Sequence, residues 1–140
     1  MKLYQVLGNL SQWLRYQATY HEMKYNLKQV LKGNKTTCTK FIYNYNRGIG
    51  KSAALARLSA EYGIPVLVPT HAWKREIEEY IPMKLPKYFK RKKPMAIVEN
   101  ENFKGRRYKA LLFEERLIYD YKTIARDIAN GKAVGYEYRP

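Results

Sequence analysis

Residues 41–52 read Phe41-Ile42-Tyr43-Asn44-Tyr45-Asn46-Arg47-Gly48-Ile49-Gly50-Lys51-Ser52. An apolar, β-prone start runs into a polar loop with two glycines, a lysine and a hydroxyl. The helix-prone run Ala53-Ala54-Leu55-Ala56-Arg57-Leu58-Ser59-Ala60-Glu61-Tyr62 follows, and Gly63 stops it. Strand, glycine loop, lysine, hydroxyl, helix is an arrangement that cradles a nucleoside triphosphate. Glycines at 48 and 50 let backbone amides turn toward phosphate oxygens. The helix start adds unpaired N–H groups and the positive end of its dipole. In this reading Asn46, Arg47, Gly48, Ile49, Gly50, Lys51, Ser52 and Ala53 bind the nucleotide. Lys51 neutralises the outer phosphates and Ser52 holds Mg²⁺.

Outward from the loop, Ile64-Pro65-Val66-Leu67-Val68-Pro69-Thr70 is a short apolar run bounded by prolines, expected as a second strand. Strand, helix, strand at this spacing is a βαβ unit with parallel strands. Thr39 to Tyr45 is expected as a central buried strand. His71 and Thr70 follow the second strand on the side where ligands gather in open α/β sheets. Met95-Ala96-Ile97-Val98 is a further strand candidate. Residues 108–113, Tyr108-Lys109-Ala110-Leu111-Leu112-Phe113, run into the acid pair Glu114-Glu115. An acid at a strand tip beside the phosphate loop can order the Mg²⁺ water shell, and a second can polarise the attacking water. Glu114 is the metal-side candidate and Glu115 the general base, with Glu99 as the alternative metal-side acid.

The loop departs from G-x-x-x-x-G-K-[ST], because Tyr45 stands where the first glycine belongs. Its remainder, Asn46 to Ser52, resembles the Walker A loop of phage terminase-type ATPases. Residues 110–115 are similar to their Walker B segment, with Glu114 in place of the usual Asp. The resemblance covers about residues 39–118. It implies a small P-loop NTPase-like three-layer α/β sandwich with a short, mostly parallel sheet. It also implies ATP and Mg²⁺ as cofactors, ATP hydrolysis, and DNA as partner in packaging, replication or recombination. An arginine supplied by a neighbouring subunit would complete the site; Arg47, Arg106 and Arg107 are the candidates, with Arg91 behind them. No stretch corresponds to the coupling motif or nuclease domain of a full packaging motor, so a truncated accessory protein is expected, acting as a homo-oligomer or within a larger phage assembly.

Residues 3–31 carry apolar side chains at helical spacing and are expected as an N-terminal helical extension in one or two pieces, ended by Gly33-Asn34, whose apolar stripe packs on the sheet. Gln5, Gln12, Gln17 and Gln29 all remain open as base-reading residues. Trp73 to Ile81 reads as a short helix with Lys74, Arg75, Glu76, Glu78 and Glu79 outside. Residues 116–130 read as a helix with Leu117, Ile118, Tyr121, Ile124, Ala125 and Ile128 on its apolar face. Ala133-Val134-Gly135-Tyr136 is expected as a last edge strand.

With 140 residues, one domain is expected. The parts are residues 1–33 as extension, 39–118 as core and 119–140 as C-terminal helix and tail. Lys plus Arg number 27 against 12 acids, a net charge of +15, which favours a polyanionic partner. The most basic segment is 82–94, where three prolines argue against regular structure. There Lys87, Lys90, Arg91, Lys92 and Lys93 are candidates for nucleic-acid phosphates, and Tyr88 and Phe89 for base stacking. The alternative function is a non-enzymatic nucleic-acid binder whose loop grips a phosphate of the polymer; a small-molecule kinase is a third reading. The single cysteine, Cys38, excludes an internal disulfide and suits a reducing cytoplasm, that of a host cell if the protein is phage-encoded. Neither a signal peptide nor an apolar run of spanning length is present, so no membrane partner is expected.

Overall fold

The computed structural model describes residues 3–42 and 50–138, with side chains described for 10, 12–39 and 50–137. In chain order the elements are α1 (Leu3–Leu31), β1 (Thr37–Ile42), α2 (Lys51–Tyr62), β2 (Val66–Val68), α3 (His71–Arg75), a π-helical turn (Glu76–Tyr80), α4 (Ile81–Lys84), a 3₁₀ turn (Pro86–Tyr88), β3 (Ala96–Val98), β4 (Leu111–Phe113), α5 (Tyr121–Ala129) and β5 (Ala133–Tyr138). The five strands form one sheet in the order β1-β5-β4-β2-β3. Every pairing is parallel: Thr37 lies opposite Ala133, Leu111 opposite Ala133, Val66 opposite Leu112, and Val66 opposite Ala96.

Alternate side chains along each strand enter two separate cores, as the pleat requires. Cys38, Val66, Val68, Ala96, Val98, Leu112, Val134 and Tyr136 pack on the face covered by α1, α2 and the 71–84 helices. Leu67, Ile97, Leu111, Phe113 and Ala133 pack on the face covered by α5, through Tyr121, Ile124, Ala125 and Ile128. The chain is therefore a three-layer α/β sandwich, and no described helix is long and apolar enough to cross a membrane.

Several expectations are corrected. β1 is an edge strand, not a central one, and Cys38 lies within it, buried, rather than ahead of it. Residues 43–45, expected to extend it, lie outside the described residues. β5 is no edge strand: it inserts between β1 and β4, so the acid-bearing strand is not next to β1. The C-terminal residues thus complete the core instead of trailing it. The α1 stripe packs on the body of the protein as expected in its second half, where Tyr16, Tyr20, Met23, Leu27 and Val30 are buried, but Leu10, Trp13 and Leu14 of its first half are about half exposed. Removing one of the buried side chains, as in Leu27→Ala, costs about 2–5 kcal/mol in cores of this kind. The last helix starts at Tyr121 rather than residue 116, because Asp120 Oδ1 caps it by accepting from the Lys122 amide at 2.9 Å. Glu78 is not on an outer face: its Oε2 accepts the Ala96 amide at 2.9 Å and ties the π-helical turn to β3. Pro82 does not break the helix but sits in the first turn of α4.

Gly135 on β5 lies opposite Phe113 on β4, and the Phe113 ring stacks on Tyr121 at 3.8 Å between centroids. A Cβ at 135 would stand 2.2 Å from the Phe113 carbonyl oxygen and 2.5 Å from its ring. Neither group has room to yield, so Gly135→Ala is expected to destabilise the fold by about 2–3 kcal/mol. Gly105→Ala, with open space around a left-handed backbone, should cost about 1 kcal/mol. Urea denaturation of both variants checks the ranking.

Candidate active site at the C-terminal edge of the sheet

Parallel strands all leave the sheet at the same edge. Gly50 to Ser52 therefore stand on one edge with Thr70-His71 after β2, Glu99 after β3 and Glu114-Glu115 after β4. Gly50 caps α2 in the left-handed region, φ 78°. A Cβ there would lie 3.2 Å from the Tyr16 side chain, so α1 approaches the loop as closely as glycine permits. Lys51, Ser52 and Ala53 form the first turn of α2. Asn46, Arg47, Gly48 and Ile49, the other nucleotide-binding candidates, lie outside the described residues.

The fold brings Lys51 and Glu115 together across the strand that separates them. Lys51 Nζ is 3.4 Å from Glu115 Oε2, and both side chains are only 12% exposed. The contact is an ion pair without hydrogen-bond alignment: Glu115 Oε2 is buried and has no hydrogen-bond donor among the described residues. Tyr136, on the intervening strand, is 1% exposed, and its hydroxyl likewise has no hydrogen-bond partner among the described residues. Burial, then the charges of Glu22 and Glu115, push the Tyr136 phenol well above its ordinary value. A buried polar group without a hydrogen bond costs about 1–3 kcal/mol, and of these two oxygens the Glu115 one is offset by the Lys51 charge while the Tyr136 hydroxyl is not. Glu114, Glu115, Tyr119, Asp120 and Tyr136 line a cleft of about 260 Å³ there.

Glu114 is 5% exposed, and one of its oxygens, Oε2, accepts the Arg116 amide at 2.9 Å. Burial pushes its carboxyl up to about 7, against the lowering effect of that hydrogen bond; the neighbouring Glu115 adds to the rise. Glu99, the alternative metal-side acid, is committed elsewhere. Its carboxylate accepts the Ile118 amide at 2.9 and 3.0 Å and the Tyr119 amide at 2.9 Å, holding the 114–120 loop in place. A larger cleft of about 460 Å³ adjoins the acid cleft and shares Tyr119 and Asp120 with it.

Among the arginine candidates, Arg106 Nη1 is bonded to Glu101 Oε2 at 2.9 Å, and Arg107 Nη1 to the Arg106 and Asp127 carbonyls at 2.9 Å each. Sequence reasoning missed Arg116, whose guanidinium lies 5.6 Å from the Trp73 ring centre beside the acid pair. It also missed Tyr136, which strand alternation marks only as buried. One of the two stacking candidates in the basic segment is corrected: Phe89 is buried in the core, whereas Tyr88 is partly exposed with the Arg57 guanidinium 4.2 Å from its ring centre.

Comparison with family models, with curated proteins and with solved structures finds no match.

Mg²⁺ is implied by the resemblance, and the donor set bears on whether it fits. No group of three or more His, Cys, Asp or Glu side chains able to hold a metal exists among the described residues. Magnesium on a nucleotide needs fewer, since it keeps several waters and takes one or two protein oxygens beside the phosphates. Ser52 and Glu114 meet that lower demand in chemical type.

The raised Glu114 carboxyl has a consequence for stability. Between pH 4.5, its ordinary value, and about 7 the folded state holds a proton that the unfolded state has lost. Stability therefore falls as pH rises through that window, by about 3 kcal/mol in all. Glu114→Gln should remove this loss: in EDTA the variant is expected to be more stable than wild type at pH 8 and to converge with it near pH 4.5. Urea titrations at the two pH values check this.

Proposed function

We propose that this chain is a small P-loop ATPase, similar to the ATPase core of phage terminase-type proteins, that binds Mg·ATP and works with DNA. The observation that carries the reading is the buried Lys51–Glu115 pair at the C-terminal edge of the sheet. It joins the lysine of a glycine loop to an acid from a separate strand, at the place where open parallel sheets bind ligands.

In this reading the backbone amides at the start of α2 and the Lys51 ammonium bind the β and γ phosphates. Arriving phosphate charge draws Lys51 off Glu115. The freed Glu115 carboxylate, already short of a hydrogen-bond donor, orients a water against the γ-phosphorus and takes its proton as the P–O bond to ADP breaks. Ser52 and Glu114 would hold the magnesium ion, which when bound neutralises phosphate charge. Glu114 must lose its proton for this, which its position near neutral pH allows. The pair thus restrains the base until nucleotide is present.

The test separates binding from turnover. Mg·ATP at a hundredfold excess over its Kd should stabilise wild type by about 2.7 kcal/mol, and Lys51→Ala should lose that stabilisation relative to its own ligand-free state. Glu115→Gln should keep the stabilisation and lose hydrolysis by about 10²–10⁴-fold. Thermal shift and phosphate release are the measurements. No stabilisation of wild type overturns the reading, and equal turnover by Glu115→Gln removes the role given to that residue.

A further inference from the structure

The segment 87–93 carries Lys87, Lys90, Arg91, Lys92 and Lys93, all exposed. A cleft of about 410 Å³ runs among them, lined by Lys87, Tyr88, Lys90, Arg91, Lys92 and one acid, Glu61. Glu61 does not cancel the charge there, because it is already engaged. Lys24 Nζ lies 3.4 Å from one of its oxygens and Arg57 Nε 3.3 Å from the other, and the Tyr20 hydroxyl donates to it.

The segment is also fixed at several points, which a merely solvated charge run does not require. Phe89 and Pro94 are buried. The Tyr88 hydroxyl accepts from Gln17 Nε2 at 3.2 Å. Its ring lies under the Arg57 guanidinium at 4.2 Å and against Tyr16 at 6.0 Å between centroids. Arg57 covers Tyr20 as well, at 3.7 Å, so one cation is held between two rings from different elements. Holding the loop in advance reduces the ordering that a ligand would otherwise impose.

We propose that residues 87–93 form a docking site for the sugar–phosphate backbone of nucleic acid, insensitive to base identity and separate from the nucleotide site. Phe89 is buried and the Tyr88 ring has the Arg57 guanidinium at 4.2 Å and the Lys87 ammonium at 5.0 Å from its centre, which leaves ammonium and guanidinium groups as the main contacts and limits stacking as a source of sequence preference. The burial of Phe89 also disfavours an anionic membrane, where basic surface segments add apolar side chains inserted among the lipids. Separation follows from topology. Glu61 is ten residues along α2 from Lys51, about 15 Å at the helical rise, and the basic loop leads into the N-terminal end of β3, the edge opposite the acids. The proposal takes from the proposed function only the expectation of a nucleic-acid partner and does not require turnover.

Binding of fluorescently labelled mixed-sequence DNA and RNA, followed by anisotropy over a salt series, tests it. Each phosphate contact contributes about 0.7–0.9 to the slope of log K against log salt. The triple variant Lys90→Gln, Arg91→Gln, Lys92→Gln should lower the slope by about 2–3 and weaken binding at least tenfold for every sequence. Tyr88→Ala, which removes no charge, should weaken binding, and Tyr88→Phe should restore most of it. Lys51→Ala and saturating Mg·ATP should leave binding unchanged. Three results overturn the proposal: unchanged binding by the triple variant, competition by Mg·ATP with loss in Lys51→Ala, or marked preference among homopolymers. Binding to phosphatidylserine-containing vesicles without nucleic-acid binding overturns it in favour of a membrane surface. If Mg·ATP fails to stabilise the protein while the salt slope behaves as expected, the nucleotide reading fails and this one stands.

Discussion

Five strands running in one direction leave the sheet at one edge, and the chemistry of this protein depends on that shared polarity. The lysine follows β1 and the acid pair follows β4, with 62 residues between Lys51 and Glu114 and a whole strand between them in space. Parallel pairing requires each connection to return to the other end of the sheet, by helices in most cases and by the irregular 99–110 segment between β3 and β4, so every strand exit lies on the same side. An antiparallel β4 would have put Glu115 at the other end of the molecule from Lys51.

At that edge the residues are held against their solvation preferences. Lys51 and Glu115 are nearly buried and meet without hydrogen-bond alignment; burial raises the Glu114 carboxyl to about 7; the Tyr136 hydroxyl lacks a hydrogen-bond partner among the described residues. Glu99 shows the opposite treatment, with a buried carboxylate given backbone amide donors from the loop at 118 and 119. The contrast separates two kinds of buried acid. One is spent on holding the loop, and the other is left with capacity for something that arrives. A close-packed helix stands beside this edge, since a Cβ at Gly50 would lie only 3.2 Å from the Tyr16 side chain.

The local signals in the sequence were reliable where short-range physics decides. The second half of the α1 stripe, the start of α2 after Gly50 and its end at Gly63, and the valine-rich β2 lie where spacing and glycine place them, whereas Leu10, Trp13 and Leu14 in the first half of α1 are about half exposed. The sequence misled where competition between elements decides. Residues 133–140 form a short tail with polar members, so Ala133-Val134-Gly135-Tyr136 reads as an edge, yet Gly135 is what allows Phe113 to lie close and lets β5 fill the gap between β1 and β4. Residues 116–120 have helical spacing, but Glu99 takes their amides and Asp120 begins the helix later. Phe89 looked available for bases because interleaved aromatics and cations do not reveal which way a ring points.

The sequence alone determined the chemical inventory: a glycine loop ending in lysine and serine, an acid pair at a strand end, a strongly basic chain, and enough alternating apolar runs for a layered α/β fold. These rest on residue type and spacing, which pleat and helical repeat translate directly into structure. Tertiary structure decided which groups meet. Strand order put Lys51 against Glu115, committed Glu99 to the backbone and placed the cations of 87–93 at the far end of α2. Strand order arises from long-range burial and steric fit, as between Gly135 and Phe113, and no local pattern encodes it.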